Sequence, residues 1–314
     1  MPTFVPPRLF FSIPAPPPHP IETAVAGYTE AIRLDPDYAL AYAGRSLAFA
    51  AKAAFLDATT LAVRADLDKV QADATKAIAL APDLGEGYLA RANAHQLLLE
   101  FKEASQDYER ALQLAPGNAR VLRDYGDFAV LMGHGDSGLT AIRRAVVLDP
   151  LNPNSHSFLA SALVSLRRYP EAIAAAKQAE ALYSTPPGFY FGAIGTTYYL
   201  LGDFSSARAT CEQNNGNDAN SPPCLALAYD KLGRHADAEA ELKKFQAASD
   251  DGGAYESAAI YAQWGNRPKA LEWLDSAMRR RARGLIALKT DPLIDPLRNE
   301  PRFQAVMREL RFPN

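Results

Sequence analysis

AIRLDP at 31–36, AIALAP at 77–82, ALQLAP at 111–116 and AVVLDP at 145–150 are four versions of one block, small-apolar-x-Leu-x-Pro. Pro82, Pro116 and Pro150 stand 34 residues apart. Proline ending a helix at that fixed interval marks a helix–turn–helix unit repeated along the chain. Such a unit cannot bury its apolar face alone, so the copies must stack, and a stack presents an extended surface. Function is thereby bounded to recognition of other chains.

Two antiparallel helices pressed together need small residues where their backbones approach and a ring or aliphatic beside them. Residues 85–116 supply both, with Tyr88, Ala92 and His95 in a first helix and Ala104, Tyr108, Ala111 and Pro116 in a second. The next unit has Leu122, Tyr125, Gly126 and Ala129, then Gly138, Ile142, Ala145 and Pro150. Another has His156, Leu159, Ala160 and Leu163, then Ala172, Ala176 and Ala179, with its proline displaced to Pro186 and Pro187. Blurred copies follow around Gly195–Ala207, Leu225–Leu242 and Ala258–Ala277. At the front, Ala24, Tyr28, Ala31 and Pro36 give a second helix with no first helix before it. Pro36 and Pro82 are 46 residues apart rather than 34, and the surplus in 52–70 carries Leu56, Leu61, Leu67 and Val70, which predicts lengthened helices.

About seven units in register resemble the tetratricopeptide repeat family over residues 21 to about 285. The resemblance implies an all-α fold, a right-handed α-solenoid in which the first (A) helices line a concave groove and the second (B) helices form the outside. Residues 1–20 form a Pro-rich extended segment, 21–285 the array and 286–314 a capping segment. Pro170 and Pro268 fall where a B helix begins, the position at which a missing N–H costs nothing. Asp203 and Asn266 are N-cap residues for the same helices.

A net charge of −3 argues against a nucleic-acid partner, which would need a basic face. Cys211 and Cys224 are too few for a disulfide framework and read as two reduced, packed thiols, the alternative being one bridge across the loop between them. No stretch approaches the ~20 apolar residues of a membrane span. The start has one Arg and a short apolar run, less than a signal peptide needs, so a cytoplasmic location is expected. Eight of the first 20 residues are proline, so an extended linker is expected there rather than a helix.

Apparent chemical motifs dissolve in the repeat. Gly133–Gly138 matches G-x-G-x-x-G and contains Gly-Asp-Ser-Gly, but it falls at the turn between two helices, without the strand or the His/Asp pair those chemistries need. The five histidines lie far apart, and His95 and His156 occupy aromatic positions of the repeat. No enzyme activity, cofactor or metal is expected. Arg279, Arg280, Arg281 and Arg283 close the last B helix, where cations offset the helix dipole.

The resemblance places groove residues at the second, fifth, ninth and twelfth positions of each A helix. The partner-binding set is Glu86, Asn93, Gln96, Arg120, Arg123, Asp127, Asn154, Ser157 and Tyr199, rich in amides and hydroxyls around one arginine pair. Arg123 could instead pair with Asp127, four residues on. The Lys–Asn–Asn–Lys–Arg clamp by which some family members hold a C-terminal carboxylate is absent, which disfavours chaperone tails as ligands. A protein or peptide partner is expected, with homodimerisation open. After the repeats, Phe303, Val306, Met307 and Leu310 form the apolar stripe of a helix that would lid the open end. TDP-x-x-DPLR-x-EPRF there is similar to the end of the repeat region in bacterial multidomain regulators that carry winged-helix, cyclase or kinase effectors. That likeness gives an alternative role, a sensory or dimerising arm whose effector is not in this chain.

Overall fold

Alanine at the head of each block is what lets neighbouring helices close up. Ala77, Ala111, Ala145 and Ala179 have no exposed surface. The computed structural model describes residues 19–53, 61–183, 188–213, 221–249 and 253–313. Among these, every regular element is helical. Helix α1 (His19–Leu34) precedes seven pairs: α2 (Ala39–Ala53) with α3 (Leu61–Leu80), α4 (Gly85–Leu97) with α5 (Phe101–Leu114), and α6 (Ala119–Leu131) with α7 (Gly135–Leu148). Then come α8 (Pro153–Ser165) with α9 (Tyr169–Leu182), α10 (Gly188–Leu201) with α11 (Phe204–Glu212), α12 (Ser221–Lys231) with α13 (His235–Ala248), and α14 (Ala254–Gln263) with α15 (Arg267–Arg280). The array is the expected α-solenoid.

The local signals act as the sequence predicts, with one shift. Pro170 and Pro268 lie in the first turns of α9 and α15, and Asp203 and Asn266 cap α11 and α15 by accepting from the Ser206 and Lys269 amides. Helix α3 runs for 20 residues and buries Leu67 and Val70, so the surplus is helix, while Leu56 lies outside the described residues. Helix α1 starts two residues early, at His19. Pro20 fits there because a first-turn N–H has no helical partner to lose.

Each pair from the second onward turns through one left-handed residue: Leu99, Gly133, Arg167, Gly202, Gly233 and Gly265. Glycine takes that conformation without steric cost; Leu99 and Arg167 do not. The closest helix approach is α6 on α7. A methyl on Gly126 would strike the Gly138 carbonyl, and the converse also holds.

Cys211 and Cys224 form a disulfide joining the end of α11 to α12, which corrects the expectation of two reduced thiols. The core position predicted for Cys211 stands, since both cysteines are fully buried. Their sulfurs fill the space beside Gly195, where any Cβ would collide with them.

Beyond α15 come two 3-10 segments, Arg283–Ala287 and Pro292–Leu297, and then α16 (Pro301–Leu310). Leu285, Leu288, Leu293, Ile294, Leu297 and Phe303 are buried, with the Pro292–Leu297 segment lying along α14. The stripe of α16 is inward-facing as predicted. The capping region is more than a lid, however, because it also crosses to pairs two, three and four. Arg281 donates to the Leu98 carbonyl, Lys289 Nζ to the Met132 carbonyl at 2.7 Å, and Arg167 to Asp295 at 2.9 Å. Phe312 stacks on Phe101 at 4.7 Å. The accessible surface is 13445 Å², close to the roughly 12,800 Å² expected of a compact monomer of this mass. The solenoid is therefore coiled back upon itself. Among the described residues no helix is long and apolar enough to cross a membrane.

Candidate functional site: the concave groove

Successive A helices pack on one another, α2 on α4, α4 on α6, α6 on α8, and α10 on α12. Successive B helices do not pack so closely, which curves the stack with the A helices inside. On that inner face α6 presents Arg120, Arg123, Asp124 and Asp127 at helical spacing of three and four, so all four share one stripe. Helix α6 is pinned at its start by Asn118, whose side chain accepts from the Arg120 and Val121 amides and donates to Glu86 on α4 at 2.8 Å.

The centre of the groove is polar and buried. Arg123 is 3% exposed, Asp127 2%, Asn154 3% and Ser157 5%. Arg123 Nε donates to Asp124 Oδ1 at 2.9 Å, and its guanidinium lies 4.8 Å from the centre of the Phe158 ring on α8. The adjacent Asp124 is thus an ion-pair partner of Arg123. Arg120 approaches the same carboxylate at 3.9 Å. Desolvation pulls the Arg120 guanidinium below its ordinary value; Asp124 opposes the shift and the like charge of Arg123 adds to it. Tyr183, just past α9, donates to Asn154 at 3.4 Å, and burial pushes its phenol up.

Toward α4 the groove changes character. Asn93 is half-buried and donates to the Leu89 carbonyl, while Gln96 is buried and accepts from the Tyr108 hydroxyl at 2.5 Å. The Gln96 Nε2 completes no hydrogen bond. Tyr199 stands apart from this group. Its hydroxyl donates to Gln263 on α14 at 3.1 Å, and its ring packs against Phe204. The nine sequence-read residues therefore divide into an α4 margin, an α6/α8 centre and an isolated Tyr199.

Asp124, Phe158 and Tyr183 belong to the centre and were not in the sequence-read set. Asp124 was visible in principle, four residues after Arg120, but it falls outside the second, fifth, ninth and twelfth positions read as groove-facing. Of the discounted motifs, Gly133–Gly138 is indeed the α6–α7 turn and first turn of α7. His95 contacts Glu100 at 2.7 Å, and His156 the Pro150 carbonyl. Among the described residues no cluster of His, Cys, Asp and Glu has the arrangement to hold a metal.

Residues 85–118 match the tetratricopeptide repeat family model. The protein STIP1 homolog of Dictyostelium discoideum is 35% identical over 99 residues, 32% of this chain. The chain spans only 15% of that relative's length. Among solved structures, the APC/C hetero-tetramer Cut9–Hcn1 aligns with a TM-score of 0.63 at 14% identity, over 93% of this chain and 52% of that one. PilF of Pseudomonas aeruginosa gives 0.52 at 18% identity, over 76% and 99%. PilW, a type IV pilus biogenesis factor, gives 0.51 at 19%, over 59% and 87%. At such identities these structures speak to the fold. The chain carries a tetratricopeptide repeat within a solenoid of tetratricopeptide-type helix pairs.

Proposed function

We propose that the chain is a non-enzymatic interaction scaffold that takes an extended segment or helix of a protein partner into the groove. The binding surface is formed by Glu86, Asn93, Gln96, Arg120, Arg123, Asp127, Asn154 and Ser157, with Tyr199 at its far margin. The observation that carries this reading is the buried polar centre on α6 and α8, flanked by unused hydrogen-bonding capacity on Gln96. Buried polar groups without partners cost free energy, and an incoming main chain offers carbonyls and amides that would recover it. A partner carboxylate at the centre would meet two guanidinium groups in a desolvated trough.

Hydrogen bonds to charged groups contribute about 1.5–3 kcal/mol each. Removing both arginines should therefore weaken binding by roughly one to three decades. The test is to capture partners from lysate on the full chain and measure each captured protein's Kd for wild type and for Arg120→Ala/Arg123→Ala. Wild-type affinity in the double variant would move the site to the outer B-helix face or the Arg279–Arg283 end.

A second role, the sensory or dimerising arm of a bacterial signalling protein, is favoured by one feature. Val147, Leu148 and Leu151 at the α7–α8 turn are 77%, 47% and 77% exposed and form an apolar knob suited to self-association. Light scattering across a concentration series separates the roles, because a dimer that grows with concentration favours the arm. The cytoplasmic setting stays with the scaffold proposal. Mass spectrometry of alkylated cell extract tests it, since a Cys211–Cys224 bridge present in the cell would point to an oxidising compartment instead.

A further inference from the structure

We propose that residues 281–313 act as a latch that closes the solenoid over its own groove, so that the groove loads only when the latch releases pairs two, three and four. This inference deepens the groove reading and rests on it.

The capping region has two faces of unequal strength. Toward α14 and α15 it buries six large aliphatic and aromatic side chains, a permanent attachment. Toward pairs two to four it makes a short row of contacts, one at each turn. Arg281 reaches the Leu98 carbonyl, Lys289 the Met132 carbonyl, and Arg167 both the Thr290 carbonyl and Asp295, while Phe312 lies on Phe101. The Arg167–Asp295 pair is well exposed, at 36% and 42%, and exposed pairs are individually weak. Opening would break this seam and leave the cap on pair seven.

Arg167 itself marks the seam as a built contact. It holds φ +62° at the turn position that glycine fills in four other pairs, a conformation costly for a side chain bearing Cβ. Glycine would relieve the backbone but could not reach Asp295. Helix α10 packs on α11 within its pair and on α9 and α12 of the flanking pairs. With the seam clasped, the groove side chains Arg123, Asp127, Asn154 and Ser157 are almost wholly buried. A partner cannot reach those side chains without an opening.

A Ser157→Cys variant reports the opening directly, because the two native cysteines are bonded to each other and the new thiol is the sole reactive one. An aromatic disulfide reagent should label it at least a hundredfold more slowly than an exposed thiol. Adding Arg167→Gly/Lys289→Ala, which supplies the turn glycine of the neighbouring pairs while cutting two seam contacts, should raise the rate at least tenfold with an unchanged circular dichroism spectrum. Salt from 0.05 to 0.5 M should likewise raise it in Ser157→Cys alone, where no seam residue is altered. A rate unmoved by salt and by the seam variant overturns the latch. No partner is needed for either reading, so a latch that opens while Arg120→Ala/Arg123→Ala binds normally would fault the groove reading alone.

Discussion

Gly195 shows how one residue can be fixed by what stands beside it. The sulfurs of Cys211 and Cys224 occupy the space a Cβ would need, so α10 can approach the α11–α12 junction only as glycine. Overpacking a closed core typically costs 1–3 kcal/mol. Gly195→Ala should therefore lower unfolding stability by about 1–3 kcal/mol in urea titration. An alanine variant as stable as wild type would mean that the sulfurs do not press there. The sequence showed Gly195 as a repeat position and Cys211 as a core position, and both are so. It did not show the bridge, because the two cysteines lie on different helices whose approach depends on the stack. Asp124 was missed for a related reason. A repeat template assigns directions to positions, whereas the Arg123–Asp124 pair forms between sequence neighbours whose side chains happen to converge.

At the scale of elements, the repeat register, the proline first turns and the Asp203 and Asn266 caps were all legible, since each is a local rule of helix geometry. The capping region was legible only in its apolar stripe. Its centre is Asp291, fully buried, accepting from the Leu293 amide at 2.7 Å and the Tyr255 hydroxyl at 2.9 Å. Burial pushes this carboxyl up to about 7; the amide, the phenol and Arg167 offset the shift, and Asp295 adds to it. The unfolded chain titrates near the ordinary value of 3.8. The folded state therefore binds more protons between these limits, and stability falls as pH rises through that window. The contribution of Asp291 is fully present below about pH 4 and lost by about pH 7–8, on the order of 2–4 kcal/mol. Asp291→Asn should flatten the dependence of unfolding free energy on pH between 4 and 8. A variant with the wild-type slope would place that proton elsewhere.

For the whole molecule, the sequence gives a stack but not how far the stack closes. The seam joins residues more than 120 positions apart, Arg167 with Asp295 and Leu98 with Arg281, and no periodicity encodes such a meeting. In the proposed closure the row of A helices becomes an enclosed polar trough, where a partner's main chain would find donors and acceptors already desolvated. The B helices offer mostly solvated faces on the outside. Binding should thus leave a one-sided footprint on the array. Hydrogen exchange of the full chain with and without a captured partner reads that footprint. The groove account predicts added protection in α4, α6 and α8, with α5, α7 and α9 unchanged; protection confined to α5, α7 and α9 would contradict it.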